Sequence, residues 1–493
     1  MASSAPVAKT LAHAPTVAYD GQSSRSLTWL WAVIALGAVL RLIALGHKSF
    51  WLDEIASVAI ARLPRAAFWT MLWHEEGNMA LYYVLLRPWL HFGVAEAGVR
   101  MLSALLGIAS IPLMYVLARR LTGETVARLS TLFIALNACA VAVSQEARGY
   151  SLLIVGVLLS TYLLVCLIER PSFAMAFAYG VVTGLVVYCH YFGLFVPAAQ
   201  AISVVALPRS QRPRKQLALA AGIVTFAALP VLWMIQIQPI GHITWVKSPS
   251  WIELYHLGTY LAAGSGKAVG AVLLLLDIVL FGLFLREWAK LWRDREQDLR
   301  CWRYTLLACC LLAPVTISLL VSLARPIFYH RFLIIGLPAW IVMTAAGAEE
   351  IRSRTWRVAA IVGVSGLSLA SVITSYSRAQ EDWRGVTRLL IAQTNPEDRV
   401  LYYRPEGYFA VENYRNWLPG GSAPRPQGVE VSTVDEGWTQ RLNGAPRVWL
   451  VLYRTKKDDP EVREIETSLS GRYKVKSEIP FRAVTVVAYC CER

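Results

Sequence analysis

Charge is what this chain most lacks. Asp, Glu, Lys and Arg together make up 16% of its 493 residues, against 56% apolar side chains and a mean hydropathy of +0.45. So little charge excludes an ordinary soluble enzyme and points to a polytopic α-helical membrane protein. Cysteine patterning is missing too. The eight cysteines show no disulfide or metal-cage spacing, and Cys139, Cys166, Cys189, Cys309 and Cys310 fall in apolar runs, where packing is their expected role. No internal repeat is visible. No cleavable leader is expected: residues 1–26 are polar and rich in Ala and Ser, and read as a disordered cytoplasmic tail before a retained first anchor.

The charge that exists is unbalanced, at +15 net. A nucleic-acid partner is not expected, because the basic residues cluster in short loops between apolar runs. The clusters are Arg119 and Arg120, then Arg209 with Arg212, Arg214 and Lys215, then Arg286 to Arg303, then Arg352 with Arg354 and Arg357. That is the loop bias of a cytoplasmic membrane face. Windows of about 20 apolar residues are needed to cross a bilayer. They occur at 27–46, 99–118, 126–144, 149–168, 173–189, 191–207, 217–236, 267–286, 304–324, 331–348 and 358–376, which is eleven. The stretch Leu81–Phe92 is short and holds Arg87, Pro88 and His91, so it reads as a helix lying in the interface. With that choice every basic cluster falls on the side of the amino terminus. The expectation is a multi-pass membrane protein with the amino terminus on the cytoplasmic side, a membrane domain over 27–376, a first outer loop over 47–98, and the carboxyl end outside.

From residue 377 to 493 charge becomes frequent, and an outward-facing α/β domain is expected. Val400–Tyr403, Arg447–Tyr453 and Ala483–Tyr489 read as strands, and Asp382–Gln393, Gly407–Trp417 and Asp459–Leu469 as helices. Pro419–Pro426 reads as a loop.

The outer loops hold the polar clusters. They are Phe50-Trp51-Leu52-Asp53-Glu54, then His74-Glu75-Glu76-Gly77-Asn78 with Tyr82-Tyr83, then Ser144 to Tyr150, then Tyr188 to Gly193, then Ala324 to Phe332. Arginine at an outer membrane end runs against loop bias, so Arg148, Arg325 and Arg331 need anions. A planar guanidinium suits a phosphate, although Glu146, Asp53 or lipid headgroups would serve equally. Asp53 and Glu54 can act as bases toward an acceptor hydroxyl, bind a divalent cation, or cap the helix that follows. Tyr150 is a further donor-site candidate, as is Lys247, between Trp245 and Trp251, which suits a sugar or headgroup; His74, Asn78, Tyr82, His190, Tyr191, His242, Tyr329 and His330 are other pocket candidates. No protein metal-ligand set is assigned. Asp277, mid-span, reads as a hydrogen-bonded packing residue, and Arg41, near the outer end of the first span, as a snorkelling side chain.

Taken in order, these segments resemble the GT-C superfamily, and within it the bacterial protein O-mannosyltransferases and the aminoarabinose transferase of lipid A. The carrying text is Phe50–Glu54, Gly77–Tyr83, Ser144–Tyr150, His190–Gly193 and Arg331-Phe332, spread over roughly the first 350 residues. The resemblance implies a polyprenyl-phosphate-linked sugar donor and a site at the outer membrane face. It gives Asp53 the role of the catalytic or acceptor-binding carboxylate, with Glu54 as its acidic neighbour. Glu146 and Arg148 would line the donor site, and Arg331 would touch the donor phosphate. The acceptor would be a lipid, glycan or protein. Relatives often carry Pro-Pro where this chain has Met79-Ala80, which loosens the expected shape of the first loop. A polymerase or ligase of lipid-linked glycans and a lipid or solute transporter are the rival readings.

Overall fold

A computed structural model describes residues 24–238, 245–264, 268–294, 299–378, 380–421, 424, 426–431, 436–442, 444–455 and 459–491. Most of the expected tail, His242 and parts of the Pro419–Pro426 loop lie outside the described residues.

Each of the eleven apolar windows is helical. In chain order the elements are α1 Ser24–Leu42, then three short helices α2 Leu52–Arg62, α3 Arg65–His74 and α4 Ala80–Trp89, then α5 Glu96–Thr122, α6 Glu124–Leu136, α7 Ala138–Ser144, α8 Tyr150–Glu169, α9 Phe173–Cys189, α10 Phe195–Val205 and α11 Arg214–Ile237. The series continues with α12 Trp251–Ala263, α13 Ala268–Arg293, α14 Leu299–Ser322, α15 Leu337–Glu349 and α16 Arg354–Tyr376. Among the described residues seven helices are long and apolar enough to cross a membrane, and α6 with α7 make an eighth, bent by 53°. The remaining windows form shorter apolar helices at Leu27–Leu42, Phe173–Cys189 and Tyr191–Val205. α4 has 10 residues, about 15 Å at 1.5 Å per residue, half of a hydrocarbon core.

The bend between α6 and α7 exposes carbonyls that hydrocarbon cannot satisfy. Arg41 meets them. Its guanidinium donates to Ile134 and Ala135 at 3.0 and 3.1 Å, and the side chain is wholly buried, so it does not snorkel as expected. The Asn137 amide oxygen accepts from Ala140 at the start of α7, while its nitrogen donates to the carbonyls of Leu261 and Ala262. Asp277 is buried and accepts from the Trp340 indole at 2.9 Å, a packing residue as expected. At the opposite end of the bundle from Asp53, Glu169 receives Arg120 at 2.6 Å and Arg303 at 2.7 Å, tying two of the basic clusters together.

Beyond α16 come α17 Trp383–Gln393, strand β1 Arg399–Tyr402, α18 Pro405–Arg415, β2 Gln427–Glu430, β3 Arg447–Tyr453, α19 Pro460–Ser470, β4 Tyr473–Phe481 and β5 Val484–Cys491. The sheet order is β2-β1-β3-β5-β4, with β1 parallel to β2 and β3, and β5 antiparallel to β3 and β4. Alternation along β3 decides its two faces. Val448, Leu450 and Leu452 pack with Ile465 and Leu469 of α19, whereas Trp449, Val451 and Tyr453 pack with Trp383 and Tyr414 in the cluster that continues into the membrane helices. β2 and β4 had no clear apolar alternation to announce them. β4 is an edge strand with most of its side chains at least partly exposed and lysines at 474 and 476, a polar edge that resists pairing with other chains.

Candidate active site

Adjacent residues on a helix point about 100° apart, so the first turn of α2 sends its two acids in different directions. The turn begins at Leu52 because Trp51 is extended and the Glu54 carboxylate reaches back to the Trp51 amide at 3.3 Å. Asp53 is therefore in the first turn and not the cap residue. Glu54 turns inward and is fully buried. It takes two hydrogen bonds from Arg100, at 2.8 and 2.6 Å, and one from the Ala147 amide at 2.8 Å. Arg100 uses its remaining donors on the carbonyls of Leu45, Lys48 and Ser49. Glu54, expected as a second reactive carboxylate, is tied up in this knot. The two acids do not present a shared face for a cation.

Asp53 turns the other way and keeps 43% of its side chain exposed. Its carboxylate faces the Arg148 guanidinium at 3.6 Å. Arg148 also reaches the Ser57 hydroxyl at 3.4 Å and the Tyr83 hydroxyl at 3.3 Å, while its Nε–H has no acceptor. Burial pushes the Tyr83 phenol up to about 12, with Arg148 opposing, so it stays a neutral hydroxyl. The Tyr82 hydroxyl bonds Ser103 at 3.0 Å, and Ser103 donates to the Arg148 carbonyl.

Beside this pair lies a second one, Glu146 with Arg331. Burial raises the Glu146 carboxyl, against the pull of Arg331. The Arg331 guanidinium sits 4.7 Å from the Tyr150 ring centre and 5.0 Å from that of Trp51, and it too leaves Nε–H without an acceptor. Two guanidinium groups, each with a donor to spare, thus stand at one end of an apolar bundle next to a carboxylate that remains accessible.

The floor of the site is the turn between α9 and α10. Asn78 accepts from the Tyr191 amide at 3.0 Å, and His190 accepts from the Phe192 amide at 3.1 Å. Tyr191 donates to Gln238 at 2.6 Å, which in turn donates to the carbonyls of Leu72 and Trp73. His190 is buried, and burial, reinforced by Arg148 and Arg331, lowers its pKa from 6.5 to about 3. The native imidazole therefore stays neutral where the unfolded one takes up a proton, so this residue makes folding stability fall as pH drops from about 6.5 toward about 3. Unfolding temperatures at pH 7 and pH 5 check this: His190→Gln should lose less on acidification than the parent, and an equal loss would refute it.

The other candidates scatter. His74 and Lys247 are exposed, Arg325 is half-buried on the turn after α14, and Tyr329 packs edge-on to Trp245 at 4.8 Å. His330 belongs to a separate group. Its Nδ1 lies 3.8 Å from Glu253, which is 3.9 Å from His256, and the ligand atoms of all three fall within 4.8 Å of one another. These are the described residues best placed to hold a metal ion, since two imidazoles and a carboxylate are ordinary zinc ligands and His330 Nδ1 has no hydrogen-bond partner. Sequence reasoning missed Arg100, Ser57 and the grouping of His330 with Glu253 and His256. An arginine at the outer end of a span was the available signal for Arg100, since the same signal marked Arg148.

Solved structures share this fold. Its coordinates superpose on ArnT from Cupriavidus metallidurans in the apo state with a TM-score of 0.62 at 10% identity, covering 94% of this chain and 98% of that one. The same protein bound to undecaprenyl phosphate gives 0.59 at 13% identity, with the same coverage. The oligosaccharyltransferase AglB from Archaeoglobus fulgidus, in complex with an inhibitory peptide and a dolichol-phosphate, gives 0.53 at 12%, covering 87% of this chain and 69% of that one. Residues 82–234 match the family described as dolichyl-phosphate-mannose-protein mannosyltransferase. No curated protein sequence matches the chain. The fold is thus shared with these structures over nearly the whole chain, and the family match covers residues 82–234, within the part that carries the motifs.

Proposed function

We propose that this protein transfers a sugar from a polyprenyl-phosphate-linked donor to an acceptor at the outer face of the membrane, and that the eleven apolar helices cross it with the C-terminal sheet outside. The observation that carries the reading is the half-exposed Asp53 carboxylate facing Arg148, with Arg331 close by, at the membrane end of an apolar bundle. A donor of this class needs both halves of that arrangement: apolar helices for the isoprenoid and guanidinium groups for the phosphate. A relative of the same fold binding undecaprenyl phosphate supports the choice of lipid.

The chemistry follows from the geometry. An acceptor hydroxyl oxygen bonds to the anomeric carbon as the bond from that carbon to the phosphate oxygen breaks. Asp53 takes the hydroxyl proton, and the phosphate leaves with the electron pair, its added charge met by Arg148 and Arg331. Attack opposite the leaving group inverts the anomeric carbon. Phosphate needs little acid assistance to leave, so one carboxylate suffices, and Glu54 shapes the turn without sharing the reaction. An acceptor that is itself a phosphate would need no base, and Asp53 would then orient it.

Native mass spectrometry of the purified protein with undecaprenyl phosphate tests the donor site. The expected result is a bound lipid in the parent that is lost in Arg148→Ala/Arg331→Ala. Equal lipid occupancy in both would mean the phosphate sits elsewhere.

A further inference from the structure

The carboxylate assigned above to proton transfer is placed by the start of α2, and that start is gripped from a distant part of the chain. The Leu52 amide, one residue before Asp53, donates to the Glu381 carboxylate at 3.0 Å. Glu381 is almost fully buried, yet it is saturated: it also accepts from the Trp383 indole at 2.8 Å, the Tyr453 hydroxyl at 2.7 Å and Arg454 at 2.8 Å. Three of its four partners belong to the C-terminal unit, and the fourth is the first turn of the helix that carries Asp53. An anion at a helix N-terminus meets free amides and the positive end of the helix dipole, so the position is favourable for the helix as well as for Glu381.

A second grip lies two residues earlier. The Phe50 amide donates to the Tyr414 hydroxyl at 2.6 Å, and that hydroxyl in turn bonds Glu96 at 3.0 Å. The Phe50 ring packs against Tyr414, with centres 5.9 Å apart. Between the two gripped amides sits Trp51, whose ring lies over Arg331. Both grips are on backbone amides, so the C-terminal unit holds the peptide itself.

We infer that Glu381 and Tyr414 are positioning residues, through which the C-terminal unit sets the direction of Asp53 and Trp51 in the site. The inference rests on the reading of Asp53 as the reacting carboxylate. A small displacement of a reacting group can cost up to about a hundred-fold in rate. The unit beyond residue 380 is then part of the catalytic scaffold and not an accessory module.

The test uses the full-length protein with Glu381→Gln and Tyr414→Phe, both close in shape to the parent residues, singly and together. Hydrogen exchange of the peptide spanning residues 48–58 reads the grip directly and needs no substrate. It is expected to quicken by at least about 10-fold, while peptides from β3 and β5 exchange as in the parent. Where transfer is measurable, kcat should fall by at least about 10-fold with donor KM and undecaprenyl phosphate binding unchanged. Unchanged exchange at 48–58 in the double variant overturns the inference, as does quickened exchange throughout the sheet, which marks general loosening. Quickened exchange with unchanged kcat also overturns it. A parent protein with no transfer activity would count against the proposed function and leave the exchange result to decide the grip.

Discussion

Asp53→Asn should lower turnover to a hydroxyl acceptor by at least about 100-fold while undecaprenyl phosphate stays bound, because general-base assistance contributes about 10²–10⁴-fold. The substitution keeps the shape and one acceptor oxygen but removes the charge that would receive the proton. Single-turnover transfer from a polyprenyl-phosphate sugar measures it. The exposure of Asp53 and its 3.6 Å separation from Arg148 make the expectation specific to this residue. Glu54, one position later, should behave differently, since its charge is buried against Arg100 and not offered to a substrate. Should Asp53→Asn retain wild-type turnover alongside active Arg148→Ala and Arg331→Ala, the site is misplaced. A loss below about 10-fold would instead identify an acceptor that needs no base, such as a phosphate.

Arg100→Ala is expected to cost about 3–5 kcal/mol of stability, the usual penalty for stripping one partner from a buried ion pair. It leaves the Glu54 carboxylate without its guanidinium and at the same time frees the carbonyls of Leu45, Lys48 and Ser49. Thermal unfolding of the purified protein reads the change. Replacing both members, Glu54→Gln/Arg100→Met, should recover part of the loss, since no bare charge remains. An unfolding temperature equal to the parent's in Arg100→Ala would show that the pair braces nothing.

Much of the architecture was legible because periodicity and hydropathy are local. The eleven apolar windows became helices, and three strands and three helices of the C-terminal unit appeared close to where alternation placed them. The bent pair α6–α7 was read as a single window, since apolarity does not report a break, and only Asn137 hinted at one. Within the site, Asp53, Glu146, Arg148 and Arg331 could be singled out by their place in or beside loops that charge bias assigns to the outer face. What the sequence concealed was which charge meets which. Arg100 lies 46 residues from Glu54, and Arg331 lies 185 from Glu146. Partners that far apart are chosen by tertiary packing, so two adjacent acids looked equivalent until the helix turned one inward. The same holds for His330, which joins Glu253 and His256, three residues apart on α12, because the turn before α15 folds onto that helix.

The hydrogen bond from Leu52 to Glu381 spans 329 residues of sequence. At a synthesis rate of about 5–20 residues per second, α2 emerges roughly 20–60 s before its anchor exists. Over that interval the chain makes the helices from α3 to α16 while the Asp53 turn lacks its Glu381 anchor. The residues that complete the arrangement are therefore made long after the turn they hold, and a nascent chain that stops short of them lacks the Glu381 anchor at Leu52.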